Sequence, residues 1–272
     1  MQPVIVCVIS LARATARRAG MTAHLQQLGL PFEIIDGVDG SLIPPEQRRA
    51  LQAPEVDYHP GVVGCYLSHM EAYRRLLAVE APLALVLEDD ARLSASFAPL
   101  LRVAPKSLDF DYCLLDCDGG NIEGPVFYNR ADGAEIFPGY TAFATHGGPA
   151  ALHAYLITRQ AAARRLEHEF PIRQPVDVYS VLPYRPLFRA IISPRAAGVS
   201  EESMRSFTSA RDHYGKLSLR WLRRLPGYYE LRGALSRDLR SLRRQVPELV
   251  REGRLPSGGD WRPLPIGRRI FY

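Results

Sequence analysis

No stretch of this chain is long and apolar enough to lie across a bilayer. Its hydrophobic runs stop far short of the ~20 residues a spanning helix needs. The N-terminus, MQPVIVCVISLAR, has no basic segment before its apolar run and no small-residue cleavage site after it, so it reads as a first strand rather than a leader. Internal repeats and low-complexity tracts are absent. No GxxxxGK[ST] loop occurs and no GxGxxG follows the first strand, so nucleotide binding here has to use neither of those phosphate cradles. The Gly-rich, Lys-bearing loop expected near the start of a nucleotidyltransferase is missing too. Cysteine is scarce, with Cys7, Cys65, Cys113 and Cys117 only. Cys113 and Cys117 have no nearby His partners and are too few for a zinc site. Reduced, partly buried thiols in a cytosolic protein are the expectation.

What is present fits one large α/β domain, or one domain with an appendage: 272 residues, 47% hydrophobic and 23% charged. The net charge of +5 is unevenly placed. Residues 211–272 carry 15 Lys and Arg against 6 Asp and Glu, a net of +9, whereas the rest nets −4. Positive charge therefore belongs to the tail, and it suits an anionic lipid surface or an acidic ligand. We read no nucleic-acid partner.

Along the chain, strands are expected at Val4–Leu11, Phe32–Asp36, Leu83–Leu87, Tyr112–Asp116, Ala151–Ile157 and Phe188–Ile192. Helices are expected at Ala14–Leu28, Pro44–Leu51, Gly61–Val79, Ala95–Val103 and Arg159–Phe170. The β-α-β-α-β order predicts a mostly parallel central sheet flanked by helices. Gly119–Gly148 suits a long active-site loop or an irregular hairpin. Beyond about Glu202, Arg/Leu patterns at Leu217–Leu225 and Tyr229–Val246 predict helices, giving a catalytic domain over 1–209 and a basic helical extension over 210–272.

The run LALVLEDD, Leu83 to Asp90, carries the chemistry. An apolar strand ends in Glu88, Asp89 and Asp90, and ligands of open α/β sheets sit at the carboxyl ends of strands. Three clustered carboxylates repel unless a cation offsets them, and oxygen donors suit Mg²⁺ or Mn²⁺. The rival reading is an acidic loop or a helix cap. Arg13, Arg17 and Arg18, where the first helix begins, are placed to meet a diphosphate or to be solvated helix residues. Asp36 and Asp39 close the second strand, either as acceptors for a ribose or uracil or as turn-formers with Gly37 and Gly40. Ser68 and His69 lie on the helix before the acidic strand. His146 and His153 are each a metal ligand or a polar rim residue, the latter preferred for either alone. Asp177 is an isolated acid in apolar surroundings, a general base or an N-cap.

Four blocks in order resemble glycosyltransferase family 25, the lipooligosaccharide galactosyltransferases and their collagen-modifying relatives. They are Val8-Ile9-Ser10-Leu11 with Arg13, Arg17 and Arg18; Phe32-Glu33 leading to Asp36-Gly37-Val38-Asp39-Gly40; Gly61 to His69 followed by Leu87-Glu88-Asp89-Asp90; and Ala154-Tyr155-Leu156-Ile157-Thr158 with Ala161, then Pro175-Val176-Asp177. His153 stands where a small residue is common in the family. The resemblance implies a GT-A type nucleotide-diphosphosugar fold, a UDP-sugar donor, Mn²⁺ (or Mg²⁺), and inverting transfer of a hexose, commonly galactose, to a saccharide or glycolipid hydroxyl. On this reading Glu88 and Asp90 hold metal, Asp89 orients the donor sugar and Asp177 is the base. Ser10, Arg13, Arg17, Asp36, Asp39, Ser68 and His69 then serve the nucleotide-sugar. The tail, with Trp221, Leu222, Leu225, Tyr228 and Tyr229 among arginines, is either an interfacial helix on the inner face of a membrane or a cap on the catalytic domain.

Overall fold

The computed structural model describes residues 3–116, 120–121, 124–146, 152–179, 182–200, 246–247, 249–252 and 255–264. The apolar run VIVCVISL forms β1 (Val4–Leu11), buried almost throughout because it has a neighbour on both sides. Helix α1 (Thr15–Gln27) returns the chain to β2 (Glu33–Gly37), parallel to β1. The short α2 (Pro45–Ala50) and the 19-residue α3 (Pro60–Ala78) follow, and then β3 (Leu83–Glu88) pairs parallel with the other side of β1. The chain thus leaves β1 in one direction and comes back on the other. The carboxyl ends of β1 and β3 flank this reversal, the place where open α/β sheets take ligands.

The remaining elements are β4 (Ala91–Leu93), β5 (Tyr112–Leu114), the two-residue strands β6 (Gly120–Asn121) and β7 (Gly124–Pro125), the long hairpin β8 (Phe127–Phe137) and β9 (Tyr140–His146), β10 (Ala154–Thr158), α4 (Arg159–Glu167), β11 (Phe188–Ile191), β12 (Ala197–Val199) and β13 (Trp261–Pro263). Nine strands form one sheet in the order β13-β8-β9-β11-β5-β10-β3-β1-β2. This corrects the expectation of a mostly parallel sheet. The pairings β1–β2, β1–β3 and β5–β11 are parallel, but β10 runs antiparallel to both β3 and β5, and β8, β9, β11 and β13 add three more antiparallel pairs. Strand alternation can be read from residue spacing; strand direction is set by connections that the spacing does not show.

The expected helix at Ala95–Val103 is instead a 3₁₀ turn at Ala98–Arg102, shortly after β4. Residues 91–94 are held extended by pairing with β12 and by the Ser94 N–H bond to the Ala196 carbonyl, which leaves room for only a short turn. The segment at Gly119–Gly148 resolves toward the hairpin alternative. The predicted helix at Leu217–Leu225 and most of that at Tyr229–Val246 lie outside the described residues. Within the stretch assigned to the extension, Trp261–Pro263 joins the sheet edge beside β8, and Trp261 packs with Phe127 and Leu255. No helix among the described residues is long and apolar enough to cross a membrane.

Two cores lie on opposite faces of the sheet. Val4, Val6 and Val8 with Leu83, Leu85 and Leu87 pack on Met21 and Leu25 of α1. Cys7 and Ile9 with Ala84 and Val86 pack on Val63, Tyr66, Met70 and Tyr73 of α3. Full burial of each such large side chain contributes roughly 1.5–3 kcal/mol. Helix α3 is seated by two glycines. A Cβ on Gly40 would lie 1.8 Å from the Pro60 carbonyl oxygen, and one on Gly64 would lie 2.4 Å from that of Val38. The loop after β2 and the first turns of α3 therefore meet backbone to backbone, which fixes where Cys65, Ser68 and His69 stand.

Candidate functional site

The period-two alternation of strands sorts the acids. In β3 the odd residues through Leu87 face α1 and the even ones face α3, and Glu88 and Asp89 continue that alternation onto opposite sides. Asp89 meets α1 and β1: its Oδ2 accepts from Ser10 Oγ at 2.7 Å and its Oδ1 meets Arg17 Nη2 at 2.6 Å. Burial raises its pKa, with the neighbouring Asp90 and Glu88 charges adding, against the pull of Ser10 and Arg17. Arg17 also reaches Asp90 Oδ2 at 3.0 Å.

Glu88 faces α3 and the residue before β10. Its Oε2 lies 3.2 Å from His153 Nδ1 and its Oε1 lies 3.5 Å from His69 Nε2. His153 Nδ1 is also 3.5 Å from Asp90 Oδ1. The antiparallel register that pairs Ala154 with Leu87, together with the Glu88 N–H bond to the His153 carbonyl at 2.8 Å, brings His153 beside the acids. Burial opposes ionisation of Glu88, but the imidazoles of His153 and His69 outweigh it and hold the carboxyl well below the usual range. Burial likewise favours a neutral His153, but the adjoining Asp90 and Glu88 carboxylates raise its pKa well above the ordinary value.

Glu88, Asp90 and His153 offer three donor atoms mutually within 4.8 Å, a set that can hold a divalent cation. Their fit to one is physical. Asp90 Oδ1 is buried without a hydrogen bond, and two donors about 2.1 Å from one octahedral ion stand about 3.0 Å apart, close to the spacings observed. Of the two roles open to His153, this grouping supports that of a metal ligand, with a neighbour that the antiparallel strand supplies. His146 instead lies edge-on to Trp261 and joins no such donor set among the described residues.

Several residues expected to touch a nucleotide-sugar are engaged within the protein. Ser10 is buried and donates to Asp89. Ser68 is buried, donating to the Gly64 carbonyl at 2.6 Å and accepting from the Val38 N–H at 2.8 Å. His69 is fully buried, with Nδ1 at 2.7 Å from the Tyr155 hydroxyl. Asp89 faces Ser10 and Arg17, on the side of the strand opposite Glu88. Ser10, Ser68 and Asp89 meet partners within the scaffold, while His69 keeps Nε2 turned toward Glu88. Arg17 closes the same scaffold on its acids. The rim is different. Arg18 bridges the Ser10 carbonyl and Asp36 at 2.8 and 2.7 Å, and Arg13 pairs with Asp39, whose carboxyl is held below its usual range by Ser41 and then Arg13. These four polar groups ring the carboxyl ends of β1 and β2, with Arg13 and Asp36 well exposed. Asp177 lies within electrostatic reach of Cys65, whose thiol is raised by burial and then by Glu88, Asp177 and Asp90.

A family model, glycosyltransferase family 25 (LPS biosynthesis protein), matches residues 4–121, the span that holds β1, α3 and the acidic turn. A human protein named inactive glycosyltransferase 25 family member 3 is 30% identical over 196 residues, covering 65% of this chain and 31% of the relative. Over residues 4–121 the chain matches glycosyltransferase family 25. Human procollagen galactosyltransferase 2 is 27% identical over 111 residues, covering 37% of the chain and 18% of that protein, and an Anopheles gambiae glycosyltransferase 25 family member is 33% identical over 99 residues, covering 33% and 17%. The chain spans about a third of the length of the first of these relatives, so the family 25 match describes a unit that those proteins carry within a larger whole. Glu88 and Asp90 lie within the matched span, and the antiparallel register brings His153 to them from beyond it.

Proposed function

We propose that the chain is a metal-assisted glycosyltransferase that moves a hexose, galactose in particular, from a UDP-sugar to a hydroxyl of a saccharide acceptor such as lipooligosaccharide. The observation that carries this reading is the Glu88–Asp90–His153 donor set at the carboxyl end of β3, beside the reversal at β1. Mn²⁺ or Mg²⁺ held by these residues would supply positive charge to the leaving diphosphate. The chain's own groups do the rest. Arg13 and Arg18 at the rim draw the diphosphate, and Asp36 and Asp39 accept from the nucleoside hydroxyls or the base. Asp89, Ser10 and Arg17 keep the acidic turn in place. Asp177 takes the acceptor proton as its oxygen attacks the anomeric carbon from the face opposite the departing UDP, which gives inversion.

The architecture we assign is GT-A type, with the catalytic unit at 1–209 and the basic segment 210–272 acting as a cap or as a contact with an anionic membrane on its cytoplasmic side. A second reading, a non-catalytic module that binds sugar-nucleotide, has one observation in its favour: the names of several relatives call them inactive. The Glu88–Asp90–His153 donor set favours turnover. UDP release across a panel of UDP-sugars, with and without Mn²⁺ and with saccharide acceptors, tests the proposal. Metal-dependent UDP release with one donor supports it. Binding of UDP-sugar without release supports the module, and release of pyrophosphate from a nucleoside triphosphate and sugar phosphate would point to a nucleotidyltransferase.

A further inference from the structure

Glu88 turns its two carboxylate oxygens toward two different sets of donors. Oε2 faces His153 and Asp90, the set already described. Oε1 faces His69 Nε2 at 3.5 Å, and Cys65 Sγ, His69 and Glu88 form a second group whose donor atoms lie mutually within 4.8 Å. Cys65 and His69 are four residues apart on α3, hence on one face of the helix. Their place against β3 is fixed by the close contact of Gly40 and Gly64 with the neighbouring backbone.

The decisive atom is His69 Nε2. The ring is fully buried, and this nitrogen has no hydrogen-bond partner although a carboxylate oxygen stands 3.5 Å away. The other nitrogen, Nδ1, meets the Tyr155 hydroxyl at 2.7 Å, and that hydroxyl meets Tyr73 at 2.9 Å. Where Tyr155 donates on to Tyr73, Nδ1 carries the ring proton and Nε2 offers its lone pair toward Glu88; in the opposite order Nε2 carries the proton toward Glu88, and a bound cation takes that proton's place. In the first order two acceptors face each other at 3.5 Å beside a fully buried ring, an arrangement that a cation between them relieves. Donors 2.0–2.1 Å from one tetrahedral ion stand roughly 3.3–3.4 Å apart, close to the gap observed. A ring whose second nitrogen is oriented by a hydrogen bond is also how metal-bound imidazoles are held.

We propose that Cys65, His69 and Glu88 form a second cation site, selective for a thiophilic divalent ion of the zinc class, with the Glu88 carboxylate bridging it to the oxygen-rich set. A sulfur, a nitrogen and a single oxygen make a softer donor set than Glu88, Asp90 and His153, so the two sites sort ions by chemistry. On binding, the Cys65 sulfur gives up its proton to solvent as the sulfur–metal bond forms. Three protein donors leave a fourth position open.

Cobalt substitution tests this without any assay of transfer, so its outcome is separable from the transferase reading. The metal-stripped full chain is titrated with Co²⁺ and its absorption followed. A thiolate-to-cobalt charge-transfer band that is displaced by Zn²⁺, lost in Cys65→Ser and in His69→Gln, and kept in Asp90→Asn and Cys117→Ser supports the site. No band, or one that survives Cys65→Ser, overturns it. Should Cys65→Ser or His69→Gln fail to fold, wild-type protein gives the answer by mass-mapped alkylation. One equivalent of Zn²⁺ should slow iodoacetamide labelling of Cys65 by about tenfold or more, because a metal-held thiolate is withdrawn from the reactive pool. Labelling at an unchanged rate overturns the site.

Discussion

The inner and outer sides of the acidic turn after β3 are built from the same kind of residue and differ in how completely those residues are satisfied. On the inner side, Asp89 has a hydroxyl on one oxygen and a guanidinium on the other, at 2.7 and 2.6 Å. On the outer side, Glu88, Asp90, His69 and His153 face one another at 3.2–3.5 Å, and Asp90 Oδ1 and His69 Nε2 have no hydrogen bond. A buried polar atom left unsatisfied costs stability, and folds retain such atoms where a ligand completes them. The comparison separates a closed side that holds the turn from an open side whose donors the proposed cation would complete, even though both are acidic and adjacent in sequence.

The largest effect should come from the open side. Asp90→Asn should lower metal-dependent UDP release on the order of a thousandfold, the several kcal/mol that an offset diphosphate charge represents, with the far-ultraviolet circular dichroism unchanged. His153→Gln should shift the Mn²⁺ concentration for half-maximal release upward by about ten- to a hundredfold, a change that a Mn²⁺ titration reads directly. Full activity in either variant would move the boundary between the two sides and remove that residue from the site.

Much of this was legible from residue order, and the limits have physical causes. Apolar runs gave away β1 and β3, and helical spacing gave away α3, because one or both faces of each are buried. The alternation in β3 carries more than the run itself. Extended two residues further, it separates Glu88 from Asp89 and would have sent Asp89 toward α1 rather than toward a sugar. The same alternation in β10, where Tyr155 and Ile157 face α3, puts His153 on the side of Glu88. What residue order hides is that β10 runs antiparallel between β3 and β5, so a residue 65 positions away in the chain lands beside Glu88. Ser68 and His69 looked like ligand contacts because they sit in a motif. Their burial comes from the backbone contacts of Gly40 and Gly64, which no single residue announces.

On the closed side the prediction is one of stability. Arg17→Met leaves Asp89 and Asp90 close together, buried and without their shared cation, and should destabilise the fold by about 3 kcal/mol. Denaturant unfolding checks this, and the double change Arg17→Met with Asp89→Asn should cost less than the sum of the two single changes, since the pair is coupled. A variant that stays fully stable while its apparent affinity for the donor falls would return Arg17 to the open side. Ser10→Ala is milder. It takes one donor from a carboxylate that keeps its guanidinium, and should cost about 1–2 kcal/mol.

The smallest effect concerns how the turn is tied to α1 beyond the acids. Leu93, in β4, donates its N–H to His24 Nε2 at 3.0 Å, so the imidazole must keep a lone pair on that nitrogen. Burial lowers the pKa of His24, and the nearby Arg92 charge lowers it further. A base whose folded pKa is depressed contributes stability that is fully present above its unfolded value of about 6.5 and is lost as the pH falls toward the folded value. Wild-type protein and His24→Gln should therefore differ most in unfolding free energy near pH 7 and converge as the pH drops toward 5, because protonation breaks in the wild type the same bond that the substitution removes. A difference independent of pH across that range would show that the ring acts only by packing. The link between α1 and the far end of the turn would then carry no charge sensitivity, unlike the acids it adjoins.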